Sequence, residues 1–350
     1  MKTVSYGMGT LSLIVAGAAA AQGANWSGDQ HALIVTASNT ASNQLLIYNP
    51  VGTLLKQIPT QGQGGVSGNA GGIAQNRDRL AVVNFGSSNV SIFAKDTEHM
   101  DLRFEHLIPA VASPVSVAFG HGHLYILTTT HVESHRVDGS GVSASADGAA
   151  ALVVADGSAA QVGTLPDQLI ISEKSNAIET VNLDSRGAVS GTAALVANIP
   201  SNVNAPFGLA TRGNDAYVTI AHANEISLVR NDNILKVTGS GTQNAPCWVA
   251  LDGPFLFSAN SPSHSVSRYA VYGQQIIQDA AIVANFNGNP TDIAYRARLA
   301  AVIDGDGTAS HVSIFGVDED GKFTLKGLAT INNTATNGAA IVRSDESIDY

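Results

Sequence analysis

An all-β, seven-bladed β-propeller is the fold this sequence predicts, and three observations predict it. A module of short apolar strands, opened by a small residue or proline, recurs six times. Its spacing is 40 residues from Ala205 to Ala245 and 44 from Ala245 to Asn289. The chain also begins and ends in mid-module, so its two ends together supply a seventh copy. A period in the forties, made only of strands and turns, is what one four-stranded blade occupies.

Composition agrees. Only 13% of the 350 residues are charged, 44% are hydrophobic and 35 are glycine, which suits short strands joined by tight turns. The first segment reads as an export signal: Lys2, the apolar run Leu11 to Ala16, then the small residues Gly17 to Ala21. That run is shorter than the ~20 residues needed to span a bilayer. Residues 1–24 are therefore expected to be a signal peptide and 25–350 a single propeller domain.

The modules follow in order. His31 to Thr36 is a second strand and Gln44 to Tyr48 a third, with no first strand before them. Gly71 to Ala74, Arg79 to Asn84 and Asn89 to Phe93 form the next copy. Ser113 to Phe119, His123 to Leu127 and Val132 to Val137 follow. Then come Ala160 to Gly163, Gln168 to Glu173 and Ala177 to Val181. Ala205 to Ala210, Ala216 to Ile220 and Glu225 to Val229 make the fifth. Ala245 to Ala250, Phe255 to Asn260 and Ser265 to Tyr269 make the sixth. Asn289 to Ala294, Arg298 to Ile303 and His311 to Phe315 precede a last apolar stretch, Asn337 to Val342. That stretch supplies the strand missing at the N-terminus and closes the ring, leaving no open sheet edge there.

Several function classes are excluded. The formal charge is −10 with no Lys/Arg cluster, which argues against nucleic acid and anionic membranes as partners. The single cysteine, Cys247, rules out an intramolecular disulfide. Asp304-Gly-Asp306-Gly and Asp318-Glu-Asp320-Gly have the carboxylate spacing of calcium loops, but neither has the completing Glu, and Asp-Gly is a favoured hairpin turn. No metal and no cofactor is expected. Asn25, Asn89 and Asn332 head N-x-S/T sequons, which make the chain a candidate glycoprotein in a eukaryotic source.

In a propeller, the starts of the first strands and the loops after the second strands converge on one funnel, where a small-molecule ligand is expected. Glu173 is the candidate acid–base group, with His222 and His264 from adjacent blades as candidate catalytic partners. Gln161, Lys174, Phe207, Cys247, Trp248, Asn260, Asp292 and Asp304 are candidate substrate-binding residues.

Arg79 to Phe93, Ser113 to Asp138, Ile171 to Asn176, Asn204 to Gly208 and Asn244 to Trp248 carry a resemblance to a known family. With matching turn patterns, it extends over most of residues 30–345. The sequence resembles the lactonase / 3-carboxymuconate cyclase-like propellers, which include 6-phosphogluconolactonase-type proteins. The resemblance implies seven blades and, as in some members of the family, metal-independent opening or closing of a lactone ring. Characterised members carry Arg and His after the first-strand proline. Here those positions read Pro206-Phe-Gly and Pro246-Cys-Trp. Three functions are thus expected in competition. The first is an exported lactonase or cyclase acting on a lactone or unsaturated carboxylic acid. The second is a non-catalytic secreted propeller that binds a small molecule, glycan or protein. The third is a natural-product cyclase or isomerase templated by Phe207 and Trp248. The expected state is a secreted monomer, periplasmic if the source is Gram-negative.

Overall fold

The computed structural model describes residues 32–199 and 201–344. The expected signal peptide and the Asn25 sequon lie outside them. Seven antiparallel sheets follow one another around a ring. The first pairs the inner strand Asn337–Arg343 with Ala32–Ala37, Gln44–Tyr48 and Leu54–Pro59, so both chain ends build blade 1 as the sequence predicts. The inner strands of blades 2 to 7 are Ile73–Gln75, Pro114–Gly120, Ala159–Thr164, Pro206–Arg212, Pro246–Asp252 and Asn289–Arg296. Blade 3 departs from the simple pattern. Its third strand, His131–Asp138, pairs with two short outer strands, Gly141–Val142 and Gly148–Ala151, where the other blades have one.

Second strands are the most deeply buried because each is covered on both faces by neighbouring blades. Ala32–Ala37 and Asp215–Ile220 are buried along their whole length. Such strands read as continuous apolar runs rather than alternating ones. Outer strands face solvent; Leu54–Pro59 is almost wholly exposed. Between blades lie separate apolar clusters, one joining blades 7 and 1 through Ile34, Leu46, Ile303 and Ile314, another joining blades 1 and 2 through Val35, Leu45, Leu80 and Phe93. Each fully buried aliphatic or aromatic side chain contributes roughly 1.5–3 kcal/mol. The ring is thus held by many interfaces of similar kind.

Two local devices repeat. The residue before the third strand turns into the left-handed region: Ser88 at φ 50°, Asn176 at 70°, Asn224 at 56° and His264 at 51°. Asn and His tolerate that conformation better than most residues. In blades 2 and 6 the end of the second strand carries an asparagine that bonds to the third strand, and in blade 2 to the incoming linker as well. In blade 2, Asn84 donates to Asn89 and Ser91 and accepts from Asn43 and Thr60, all at 2.7–2.9 Å. In blade 6, Asn260 donates to Ser265 at 3.2 Å and Ser267 at 2.8 Å. Asp306 and Asp318 cap their own turns through backbone amides, so both Asp-Gly stretches are hairpin turns.

Candidate functional site

The linker from blade 1 to blade 2 does not skirt the funnel; it crosses it. Residues 62–72 are Gly-Gln-Gly-Gly-Val-Ser-Gly-Asn-Ala-Gly-Gly, and Gly65, Gly68 and Gly71 take positive φ. Asn69 is fully buried and bonds three blades at once. Its Nδ2 donates to the Val115 carbonyl at 2.6 Å, its Oδ1 accepts from Asn337 at 3.1 Å, and its carbonyl accepts the indole N–H of Trp248 at 2.9 Å. Next to it the Ala70 amide donates to the Ala160 carbonyl at 3.1 Å. Glycine is required here by close approach: a Cβ on Gly71 would lie 2.9 Å from Ser116 Oγ.

This crossing divides the predicted site. On one side lie Glu173 and Lys174, at the end of strand Gln168–Glu173. Lys174 Nζ donates to the Gly68 carbonyl at 2.6 Å and the Ala159 carbonyl at 3.1 Å, so its ammonium clasps the crossing segment to blade 4. Burial lowers the Lys174 pKa, with Glu173 and Asp156 opposing that shift. Glu173 is fully buried. Its Oε2 accepts from Ser158 Oγ at 2.9 Å, while Oε1 has no partner. Burial is the main reason its pKa is pushed up to about 8; Ser158 and Lys174 oppose the shift, and the Glu179 and Asp156 carboxylates add to it. Glu173 occupies the blade position that Asn84 and Asn260 hold in blades 2 and 6. Asn84 has four side-chain partners there and Glu173 has one.

On the other side is a central cavity of about 340 Å³. It runs from Ala70, Gly71 and Trp248 to Gln75, Thr211, Leu251 and Tyr295 at the far ends of the inner strands. Gln161 and Asp292 line it. Gln161 Oε1 accepts the Leu209 amide at 2.7 Å. Asp292 is buried, and desolvation raises its pKa to about 7 against the opposing backbone N–H groups of Ile293, Ala339 and Gly338. Phe207 packs edge-on against Trp248, ring centres 5.1 Å apart.

The remaining predicted residues lie apart from both. His222 is exposed and His264 half-buried at the loop tips of blades 5 and 6. Cys247 is half-buried, and burial pushes its thiol up to about 12, so it is no thiolate at neutral pH. Asn260 is held within its blade by the serines named above. Asp304 faces His311 at 3.3 Å in a cleft of about 360 Å³ between blades 6 and 7, walled by Phe286, Phe315, Leu325 and Leu328. Among the described residues no group of three or more His, Cys, Asp or Glu side chains could hold a metal ion. Sequence reasoning passes over Asn69, Ser158 and Glu179. The first sits in a Gly-rich stretch that looks like a linker, and the other two are ordinary loop and strand residues until the fold brings them to Glu173.

No protein-family model matches the chain, and no curated protein matches it. Solved structures do. A provisionally assigned 6-phosphogluconolactonase of Bacteroides uniformis is 15% identical, with TM-score 0.65, covering 90% of this chain and 100% of that one. The periplasmic gluconolactonase of Pseudomonas aeruginosa is 15% identical, with TM-score 0.63 and coverage of 90% and 99%. A functionally unknown protein of Desulfotomaculum acetoxidans is 13% identical, with TM-score 0.67 and coverage of 89% and 99%. What is shared is the fold, a seven-bladed β-propeller. Among the described residues no helix is long and apolar enough to cross a membrane.

Proposed function

We propose that the chain is an exported, lactonase/cyclase-like propeller that acts on a lactone or an unsaturated carboxylic acid by acid–base chemistry without a metal. Glu173 is the proton-exchanging group. The observation that carries this reading is the state of its carboxyl: desolvated, holding a proton near neutral pH, and with one oxygen unpartnered at a position where blade 2 satisfies every polar atom. A buried polar atom left unpaired costs about 1–3 kcal/mol, which is expected where a group is kept for chemistry.

The reaction divides as follows. The Oε1–H of Glu173 gives its proton to the ring oxygen as the acyl C–O bond breaks, while water adds to the carbonyl carbon and sheds one proton to solvent. The resulting carboxylate is the base for the reverse, lactone-forming direction. Lys174 supplies the adjacent positive charge for the carboxylate that forms, and must exchange the Gly68 carbonyl for it. His222 and His264, on the loop tips of blades 5 and 6 and apart from Glu173, are the candidate partners for proton exchange with solvent. Substrate enters from the funnel side, with the Gly68 end of the crossing segment displaced. The protein acts as a monomer after removal of residues 1–24, in the periplasm or outside the cell.

The test is conversion of a panel of lactones and muconate-like acids followed by NMR, with and without EDTA. Turnover is expected in wild type and absent in Glu173→Gln; an equal rate in the variant refutes the assignment. The crossing segment itself favours a second reading. A funnel closed by Asn69 and clasped by Lys174 suits a propeller that binds a small molecule, glycan or protein without turning it over. A ligand that raises the melting temperature yet is recovered unchanged would establish that reading.

A further inference from the structure

Glu173 has two chemically distinct oxygens, and the difference is built by residues on two other elements. Ser158 lies on the linker entering blade 4. Its hydroxyl is buried and donates to Oε2 at 2.9 Å. With Ser158 as donor to Oε2, a proton on the carboxyl that preserves this contact sits on Oε1. Oε1 has no protein partner. Glu179, on the facing strand Ala177–Asn182, is fully buried, and its two oxygens accept the amides of Val154 at 2.7 Å and Val153 at 2.9 Å. Those amides fix the Glu179 carboxyl in place beside Glu173. The other charged groups facing Glu173 are Asp156, on the same linker as Ser158, and Lys174, its chain neighbour.

We propose that Ser158 is a positioning residue for Glu173: its hydroxyl fixes Oε2 as the acceptor oxygen, so the proton exchanged with a substrate resides on Oε1. The inference rests on Glu173 as the acid–base group. The step it describes is a plain proton transfer. The Oε1–H bond breaks, the proton goes to the substrate oxygen, and the carboxylate left behind still accepts from Ser158 through Oε2. Water returns a proton to Oε1 to complete the cycle. Ser158 itself neither gains nor loses a proton and touches no substrate.

The test reads Glu173 directly, by carbon-13 NMR of protein labelled at the glutamate carboxyls. The Glu173 resonance is assigned by its loss in Glu173→Gln. Removing a hydrogen bond that favours the carboxylate is expected to move the Glu173 titration midpoint upward in Ser158→Ala by about one pH unit. Ser158→Thr, which keeps the hydroxyl, is expected to restore it. Glu179→Gln is expected to move the midpoint down. On a turned-over lactone, Ser158→Ala is expected to lower kcat about tenfold with KM unchanged. A midpoint that stays in place or falls in Ser158→Ala overturns the proposal, as does failure of Ser158→Thr to restore it. If Ser158→Ala does not fold, the Ser158→Thr and Glu179→Gln titrations decide the matter. A threonine midpoint away from wild type, or a glutamine midpoint that does not fall, refutes it. These titrations are independent of turnover. A wild-type protein inactive on every lactone, yet with the expected shifts, would refute the lactonase reading and leave the Ser158–Glu173 coupling standing.

Discussion

Replacing Glu173 by glutamine should make the protein more stable at alkaline pH and change how its stability depends on pH. The side chain is fully buried and its carboxyl is raised from 4.5 to about 8. In the unfolded chain the group ionises near 4.5, whereas in the folded protein it keeps its proton until about 8. The folded state therefore binds the proton more tightly, and this site favours folding most below pH 4.5. As pH rises from there, stability falls by about 1.4 kcal/mol per unit until the folded group also ionises, then levels off. The ceiling is about 5 kcal/mol, from 3.5 units (8 − 4.5) at 1.36 kcal/mol each. Glutamine has nearly the same shape and no charge to desolvate. The assay is urea unfolding of both proteins at intervals from pH 5 to pH 9, at matched ionic strength. Other groups titrate in this range too. Asp292, raised to about 7, follows the same sign, while His135, lowered by burial, follows the opposite one. Both are common to wild type and variant, so they cancel in the difference. That difference should grow in favour of Glu173→Gln by several kcal/mol between pH 5 and pH 8. Parallel curves would show that Glu173 is not a desolvated carboxyl and would remove the basis of the proposed chemistry.

Other perturbations test the architecture around it. Trp248→Phe keeps the edge-on contact with Phe207 but leaves the buried Asn69 carbonyl without its indole donor; a loss of about 1–2 kcal/mol is expected in urea titration. Gly71→Ala combines φ 65° with a Cβ 2.9 Å from Ser116 Oγ, and should lower stability by about 1–3 kcal/mol in the same assay. Lys174→Met removes the ammonium that clasps Gly68, so hydrogen exchange at residues 66–70 should quicken while exchange in the second strands is unchanged. It also removes a charge that lowers the Glu173 pKa, so the Glu173 midpoint should rise.

The ring was readable from the chain because each blade is local. Strand order and the turns at Asp306 and Asp318 depend on residues a few tens of positions apart, where period and turn chemistry are expressed directly; the composite first blade, whose strands pair Ala32 with Arg343, is legible only because each chain end is an incomplete copy of the repeat. Blade 3 shows the boundary: its outer edge is split into Gly141–Val142 and Gly148–Ala151, and the repeat alone does not specify it. The site was readable only in part. Glu173 is legible as a candidate because a carboxylate at a second-strand end is visible in a sequence. Its environment is not, because Ser158 and Glu179 meet it only across strand pairings. The funnel's closure was least visible of all. The bonds of Asn69 reach residues 46, 179 and 268 positions away, and a Gly-rich stretch with such distant partners has no local signature.

That same asparagine changes what kind of object the ring is. Blades that touch only their neighbours form a wheel rim, in which a disturbance travels around the circumference. Asn69 adds a hub with spokes to blades 1, 3 and 6, and Ala70 adds one to blade 4. Strain introduced at Trp248 then reaches Val115 through a single residue, without passing through the two intervening blades. Such a wheel cannot peel open from one seam: the clasp formed by the chain ends and the hub must give way together.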